Sequence, residues 1–285
     1  MSGSSEPSTA KKHLPAIVIR PFTGWRLLDL RELWEHRELL YFFTWRDLKV
    51  RYKQTVIGVA WAVIQPVLLM VLFTAFFSSV LGVQSGGIPY PVFAYAGLLP
   101  WGLFSAAITN GGTSITNNQS LVTKVYFPRL FLPLSAVFEG VVDFAVASVV
   151  LVGLMFYYGV IPSLTIIALP LFVLLAIITS AGVAFWLSAF DVRYRDIHYT
   201  IPFLVQFWLF ATPIIYPVSR IPSSIKWIAS LNPMTGVVEG FRWALLGQSF
   251  AFDAVSWVSV VVAILVFVSG LFYFQRVERI MADVV

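Results

Sequence analysis

The sequence contains no cysteine, only three histidines and few charged residues. Asp, Glu, Lys and Arg together make up 12% of the 285 residues, whereas soluble domains carry roughly 25% charged residues. The absence of cysteine excludes disulfides, thiolate metal sites, cysteine nucleophiles and thiol redox chemistry within this chain. His13, His36 and His198 lie too far apart in sequence for the ligand spacing of a metal-binding motif.

Motifs for nucleotide binding and for hydrolysis are also missing. None of the six lysines follows a glycine, which excludes the G-x-x-x-x-G-K-[ST] loop, and there is no G-x-S-x-G or H-E-x-x-H motif. An intramembrane enzyme would need an acid–base pair, and only Glu139 and Asp143 qualify, with no metal-binding group or nucleophile beside them. We therefore expect no catalytic residues, no metal site and no cofactor on this chain. Uphill transport would need energy from another chain.

Apolar residues, by contrast, make up 59% of the chain and the mean hydropathy is +0.84. About 20 apolar residues in a helix cross the ~30 Å hydrocarbon layer, and backbone groups in lipid must pair within their own segment. The sequence therefore predicts an all-α membrane protein with six transmembrane helices. The six runs lie at about 56–81, 91–110, 130–158, 164–190, 200–218 and 254–274.

Positive charges are distributed unevenly around these runs. Ten of the 19 Lys and Arg residues lie before Gln54, and six more follow the second, fourth and sixth runs. The opposite set of loops holds only Arg220, Lys226 and Arg242. Because cytoplasmic loops carry the excess of Lys and Arg, this bias predicts that both termini are cytoplasmic.

The segment before the first run is predicted to form an amphipathic helix. In residues 29–53, aromatic and aliphatic residues recur at helical spacing between charges, and Arg46–Lys53 contains four cations and one anion. Such a helix suits either an interface with anionic head groups or packing on a partner protein. We predict an interface helix at 29–54, preceded by a disordered cytoplasmic tail at 1–28 and followed by a transmembrane domain at 55–278.

Three connecting segments have features beyond those of simple loops. Residues 117–129 (NNQSLVTKVYFPR) contain a helix-capping signal and a terminating proline, which predicts a short helix that acts as a connector or as a contact for another protein. Residues 191–197 (DVRYRDI) hold four charges in seven residues, as a solvated turn or as a second contact surface. Between 219 and 253, prolines and glycines punctuate a segment too short for a span, which predicts a pair of short re-entrant helices.

Ionisable and aromatic residues near the spans leave two interpretations open. Glu239 and Arg242 are three residues apart, so they form a structural ion pair or contribute to a gate. Glu139 and Asp143 share one helix face, and we expect them to form structural hydrogen bonds because no His or Lys lies in a span to complete a proton relay. Aromatics usually populate interfacial belts, but some are candidates for a channel wall: Tyr95, Trp101, Phe104, Phe207 and Trp208.

Four stretches in this order resemble the permease subunits of type-2 ABC exporters, particularly those for lipid-linked polysaccharides such as O antigen, capsule, teichoic acid or galactan. They are RDLKVRYKQTVIGVAWAVIQPV at 46–67, LVTKVYFPRLFLPL at 121–134, DVRYRDI at 191–197 and LNPMTGVVEGFRWALLG at 231–247. The resemblance implies a homodimeric channel in a bacterial inner membrane, two ATPase subunits that bind ATP and Mg²⁺, and a lipid-linked glycan as substrate. No nucleic acid is expected. An exporter of drugs or small lipids is the alternative within the same fold.

The resemblance also assigns roles to individual residues. It implies that the 121–128 segment docks in an ATPase cleft, that the 191–197 turn makes a second cytoplasmic contact, and that the re-entrant pair near 222–246 forms the outer gate. The implied ATPase-coupling residues are Leu121, Lys124, Val125, Tyr126, Phe127, Pro128, Arg129, Asp191, Arg193, Arg195 and Asp196. The implied gate residues are Asn232, Pro233, Glu239 and Arg242.

Overall fold

The computed structural model describes residues 34–53, 57–83, 85–194, 196–247, 254–278 and 281. These residues form helices and connecting turns, and no strand occurs among them. The helices, in chain order, are α1 (Arg37–Lys53), α2 (Trp61–Phe73), α3 (Tyr90–Gly112), α4 (Ser114–Asn117), α5 (Gln119–Lys124), α6 (Phe131–Tyr157), α7 (Leu169–Arg193), α8 (Ile197–Ala211), α9 (Lys226–Leu231), α10 (Pro233–Leu246) and α11 (Ala254–Glu278).

Five helical segments are long and apolar enough to cross a membrane. The segment that contains α2 is extended by a 3₁₀ turn at Gly58–Ala60 and a π-helical turn at Thr74–Val80, and α7 is preceded by a 3₁₀ turn at Leu164–Ala168. The five segments are Gly58–Val80, Tyr90–Gly112, Phe131–Tyr157, Leu164–Arg193 and Ser256–Glu278. The prediction of an all-α membrane protein is therefore confirmed. The predicted tail at 1–28 lies outside the described residues, so the division of the chain into three parts stays a prediction.

The apolar run predicted at 200–218 forms a shorter helix than expected. Helix α8 has 15 residues, which corresponds to about 22 Å, less than the ~30 Å of the hydrocarbon layer. It ends next to Pro213: a proline disfavours the helical conformation of the residue before it, and Thr212 is extended with ψ 139°. The chain then returns through a 3₁₀ turn at Val218–Arg220 to the short helices α9 and α10.

Helix α3 occupies the centre of the bundle. Most of its residues are buried, and it contacts α2, α6, α7, α8 and α10. Helix α11 packs on α7, α9 and α10. The contacts described below place α1, α5 and the C-terminal ends of α7 and α11 at one end of the bundle, which we call the α1 end. The C-terminal end of α8, together with α9 and α10, lies at the other, which we call the α10 end.

Helix α1 covers the part of the predicted interface helix from Arg37 to Lys53 and packs along α6, whereas 29–33 and 54 lie outside the described residues. Its inward face buries Phe43 against the core at the α1 end, with Leu39 and Leu40 beside it. Its outward face exposes several aromatic residues, which suits a helix at a lipid–water boundary. The exposed residues are Trp34, which precedes α1, and Tyr41, Phe42 and Trp45.

Two glycines allow α7 and α11 to pack with their backbones in close approach. A Cβ atom on Gly182 would lie 2.5 Å from the Cα atom of Phe267, and one on Gly270 would lie 2.4 Å from the carbonyl oxygen of Gly182. Small residues at such contacts let membrane helices gain van der Waals packing, because lipid provides no hydrophobic driving force between helices. This contact fixes α11 on the bundle.

Replacing Gly182 with Ala is therefore expected to push α7 and α11 apart and to lower stability by about 1–3 kcal/mol, as for other overpacked sites. The measurement is the thermal unfolding midpoint of the purified chain, followed by tryptophan fluorescence. Gly153→Ala in α6 is the matched control, because nothing lies within 4 Å of its Cβ position. Equal midpoints for the two variants would contradict the close-packing interpretation.

Candidate functional site

Residues 121–129, the coupling segment, connect α5 to α6 at the α1 end of the bundle. Lys124 ends α5, and Val125 follows in an extended conformation, with φ −126° and ψ 133°. The side chains of Lys124, Val125 and Tyr126 are exposed, and Tyr126 is 74% exposed. Leu121 and Pro128 are half-buried. The structure thus presents a short exposed surface of one cation, one aliphatic and one aromatic side chain. The half-buried residues Leu121 and Pro128 flank it.

The structure corrects the expectation that Phe127 contacts a partner directly. Its side chain is buried, and its ring lies 5.3 Å from that of Phe43 in α1, measured between centroids. A half-buried hydrogen bond from Arg46 Nη2 to Asn118 Oδ1, at 3.0 Å, joins α1 to the residue that precedes α5. Phe127 therefore ties the coupling segment to α1, and the exposed residues next to it remain available for contact.

Arg129 connects the coupling segment to the end of α11. Its backbone N–H donates to Glu278 Oε1 at 3.0 Å, and its Nη1 donates to the carbonyl oxygen of Glu278 at 2.5 Å. Lys and Arg side chains near a helix C-terminus satisfy carbonyl groups that have no partner within the helix. Arg129 is consequently a bracing residue rather than a free surface cation.

The predicted second contact surface, 191–197, is only partly exposed. Asp191 is buried and accepts a hydrogen bond of 2.5 Å from Thr116 Oγ1 of α4, which corrects its assignment as a surface contact. Arg193 and Asp196 are exposed, and Arg195 lies outside the described residues. The link between Asp191 and Thr116 places the 191–197 turn on the same end of the bundle as the coupling segment.

At the α10 end, the amide of Asn232 joins α8 to α10. Its Oδ1 accepts from the indole Nε1 of Trp208 at 2.9 Å and caps α10 by accepting from the N–H of Met234 at 3.0 Å. Its Nδ2 donates to Thr212 Oγ1 at 2.9 Å. Asn232 precedes Pro233, and this pair is a strong N-terminal helix signal. The amide therefore fixes the C-terminal end of α8 on the N-terminus of α10.

Arg242 makes a second connection to the segment after α8. Its side chain is 1% exposed; Nη1 donates to the carbonyl oxygen of Pro213 at 2.7 Å, and Nη2 donates to that of Ile214. Its Nε donates to the carbonyl oxygen of Phe93 at 3.2 Å, and its Cζ lies 3.6 Å from the centroid of the Phe93 ring. The guanidinium thus holds α3, α10 and the turn after α8 together, as buried charges require partners.

The expected ion pair between Glu239 and Arg242 is present, with 3.3 Å between Oε1 and Nη1. Gly97 provides the space for the guanidinium, because a Cβ atom there would lie 2.4 Å from Nη2. The four predicted gate residues are thus brought together at one end of the bundle: Asn232, Pro233, Glu239 and Arg242. Their role in gating stays a prediction.

The five aromatic residues predicted to line a channel separate into two groups. Tyr95, Trp101 and Phe104 are buried within the bundle, and the Tyr95 hydroxyl donates to the carbonyl oxygen of Ala147 at 3.1 Å. These three fill the core, which corrects their assignment. Phe207 and Trp208 instead line a cleft of about 670 Å³ between α8 and α9. The sequence could not separate the groups, because all five lie in uniformly apolar runs.

An ionic cluster that the sequence analysis missed joins α1 to α6. The Arg51 guanidinium contacts Glu139 Oε2 at 3.1 Å through Nη2 and Asp143 Oδ2 at 2.9 Å through Nη1. The Tyr52 hydroxyl donates to the same Asp143 carboxylate. Burial and Asp143 raise the pKa of Tyr52 to about 12, so its hydroxyl keeps its proton. The two carboxylates in α6 therefore have a structural role, as expected, and their cation comes from α1.

Removing Arg51 is expected to leave two carboxylates without their cation. Arg51→Met should destabilise the chain by about 2 kcal/mol, below the about 3–5 kcal/mol of a fully buried pair, because the Arg51 side chain is one-third exposed. Adding Glu139→Gln and Asp143→Asn should restore much of the loss. Thermal unfolding midpoints of the purified variants test this, with Lys49→Met on the exposed face of α1 as control. No rescue by the added substitutions would contradict the pairing.

Comparison with known proteins shows to which family this chain belongs. The sequence profile of the ABC-2 type transporters matches residues 38–246. The chain is 32% identical to the O-antigen export system permease protein RfbA of Myxococcus xanthus over 216 residues, 75% of this chain and 82% of the relative. It is 30% identical to RfbA of Klebsiella pneumoniae over 249 residues, 87% and 95% of the two chains.

A more distant relative is the polysialic acid transport protein KpsM of Escherichia coli. It is 24% identical over 203 residues, which cover 70% of this chain and 78% of the relative. The family profile match at 38–246 contains the coupling segment, the 191–197 turn and both helices α9 and α10. This chain is a multi-pass membrane protein that belongs to the ABC-2 type transporter family.

Proposed function

We propose that this chain is the membrane-spanning subunit of an ATP-driven exporter that moves a lipid-linked polysaccharide out of the cytoplasm. The observation that carries this proposal is the similarity to O-antigen export permeases over most of both chains. The more distant similarity to a polysialic acid transport protein supports a polymer as the exported substrate.

The energy source in this proposal is a separate ATPase subunit that binds ATP and Mg²⁺. The coupling segment supports it, because Lys124, Val125 and Tyr126 form an exposed surface with rigid anchors on both sides. Phe127 would transmit a displacement of this surface to α1 through Phe43, and Arg129 would transmit it to α11 through Glu278. A partner that moves the segment therefore acts on two helices at once.

The passage in this proposal lies between two copies of the chain. The interior of the bundle is filled by large side chains such as Tyr95 and Phe104, so a sugar polymer has no path through it. The segment Gly58–Val80, which contains α2, supports a seam between copies, because little of it is buried within a single chain. The outward face of α2 and of the π-helical turn that continues it carries a stripe of apolar residues at helical spacing: Leu68, Val71, Leu72, Phe76 and Val80.

The outer gate is assigned to α9 and α10, together with the end of α8. Asn232 and Arg242 each bind the segment at the C-terminal end of α8, so a displacement of that segment would act on α10 at two points. The cytoplasmic turn 191–197 directly precedes α8. A displacement of that turn by the ATPase would therefore reach the gate along a helix of 15 residues.

We propose a bacterial inner-membrane location with both termini in the cytoplasm, and the absence of cysteine makes the orientation directly testable. Tyr126→Cys in the coupling segment should react with a membrane-impermeant maleimide only after the membrane is permeabilised. Tyr157→Cys, at the far end of α6, should react in intact spheroplasts. Both tyrosines are well exposed. The reverse labelling pattern would refute the orientation and the docking assignment together.

Substituting Tyr126 with Ala is expected to uncouple ATP hydrolysis from export. Loss of a large, exposed aromatic contact at the centre of an interface can cost 2 kcal/mol or more, and we expect roughly a tenfold or greater fall in polymer export per ATP hydrolysed. Tyr157→Ala is the matched control, because it removes an exposed tyrosine from the opposite end of the bundle. Full coupling in Tyr126→Ala would exclude this residue from the ATPase contact.

A further inference from the structure

We propose that the adjoining C-terminal ends of α7 and α11 bind an anionic phospholipid, with its phosphate between Arg193 and Arg276 and its glycerol against a platform of three aromatic rings. The inference rests on the orientation proposed above only for the leaflet, which is the cytoplasmic one, and it does not depend on which substrate is exported. Three observations carry it: the platform, the two arginines beyond it, and an exposed apolar stripe that leads to them.

The aromatic platform consists of Trp186 and Phe190 in α7 and Tyr273 in α11. The Trp186 and Tyr273 rings are stacked, with 4.5 Å between their centroids and 16° between their planes, and the Phe190 ring lies 5.0 Å from that of Tyr273. The indole Nε1 of Trp186 donates to Ser269 Oγ at 3.1 Å, which holds the ring on α11. All three aromatic residues are half-buried. The platform therefore keeps part of its aromatic surface open to the outside of the bundle.

Each of the two helices carries an arginine one turn beyond the platform. Arg193 follows Phe190 by three residues and Arg276 follows Tyr273 by three, so each lies on the helix face that carries the ring. Because the Phe190 and Tyr273 rings are in contact, the two arginines lie at the same level. Both are exposed, and neither has a hydrogen bond or ion pair to another residue in the described part of the chain. Two such cations side by side select an anion that both can bind.

The outer face of α11 leads from the α10 end of the bundle to Arg276. It is uncharged and carries large apolar side chains that are exposed at helical spacing: Trp257, Val261, Leu265, Val268 and Phe272. Trp257 and Arg276 are 19 residues apart, which corresponds to about 28 Å along the helix and matches the ~30 Å hydrocarbon layer. A stripe of this length, bounded by a tryptophan and an arginine, indicates a lipid-facing side with Arg276 at the head-group level.

The site is separate from both the proposed seam and the proposed outer gate. Helix α2, which supports the seam, packs on α3 and α6, whereas α11 packs on α7, α9 and α10. Helices α9 and α10 lie at the α10 end of the bundle, and Arg276 lies in the last turn of α11, at the opposite end. Lipid can therefore reach the platform and the arginines without entering the passage.

Arg193 is one of the implied ATPase-coupling residues, and this proposal gives it another role. It is the last residue of α7, on the face that points towards α11. Tyr194 and Asp196, which follow it in the 191–197 turn, are exposed and remain available to an ATPase. The lipid site and the second cytoplasmic contact can thus exist next to each other.

A phospholipid combines the groups that these three features bind. Two guanidinium groups bind a phosphate through charge-assisted hydrogen bonds, and their planar shape suits its oxygens better than lysines would. Trp and Tyr rings favour the region between head groups and acyl chains, and the stripe offers apolar contact to a chain. Basic pockets between transmembrane helices on the cytoplasmic side bind anionic lipid head groups in the same way.

The test is photo-crosslinking of the full exporter complex in phosphatidylcholine nanodiscs that contain traces of photoactivatable phosphatidylglycerol or phosphatidylcholine, with mass spectrometry of the labelled peptides. We expect phosphatidylglycerol to label the peptides that contain Trp186 and Tyr273 several-fold more than phosphatidylcholine. Arg193→Gln and Arg276→Gln should each reduce phosphatidylglycerol labelling about fivefold, the contribution of one basic residue near a membrane surface, and should leave phosphatidylcholine labelling unchanged.

Two further variants separate this site from the general charge of the surface. Lys53→Gln removes an exposed cation from α1, which packs on α6, so it should leave the labelling of the α7 and α11 peptides unchanged. Phe190→Ala removes part of the platform and should reduce labelling by both lipids. Equal labelling by the two lipids in the unmodified chain, or an unchanged preference in both arginine variants, would overturn the proposal. Loss of the preference in Lys53→Gln would do the same.

Two other occupants would give different results. If the ATPase covers the two arginines, neither lipid will label these peptides, and both arginine variants will lower the amount of ATPase that copurifies. If a second copy of the chain covers the stripe, Phe272→Cys will form a disulfide between copies. Either result overturns the lipid assignment. Because no export is measured, the test can fail while the proposed transport function stands.

Discussion

The buried guanidinium of Arg242 is the interaction on which the arrangement at the α10 end depends. A cation taken out of water is tolerated only where its charge and all its donors are satisfied. Carbonyl oxygens from α3 and from the turn after α8, the ring of Phe93 and the carboxylate of Glu239 provide this here. Because these partners come from separate elements, the charge can be buried only when all of them are in place. It therefore makes the local fold cooperative.

The same principle operates in the other half of the molecule with the opposite sign of charge. There the costly groups are the carboxylates of Glu139 and Asp143, and the pairing cation arrives from outside the span, on α1. Helix α1 is consequently held to α6 by charge at its C-terminal end and to the core by Phe43 near its middle. Phe43 also packs on Phe127, so the coupling segment and this cluster are attached to the same helix.

Features set by local sequence could be predicted, and features set by distant contacts could not. Five spans follow from length and apolarity, and the start of α10 follows from Asn232 and Pro233. The length of α8 was overestimated because the residues after Thr212 are as apolar as those before it. Arg51 and Asp143 are 92 residues apart, and no periodicity connects them. Tyr95 and Phe207 look alike in sequence, but one fills the core and the other a cleft.

The shortness of α8 has a consequence for the surrounding bilayer. A helix about 8 Å shorter than the hydrocarbon thickness creates a hydrophobic mismatch, which lipids accommodate by thinning locally. The head groups of the two leaflets then lie closer together beside α8 than beside the longer helices. Where α8 borders the passage proposed between two copies, the apolar layer that a polar polymer must cross is therefore thinner than it would be beside the five longer segments.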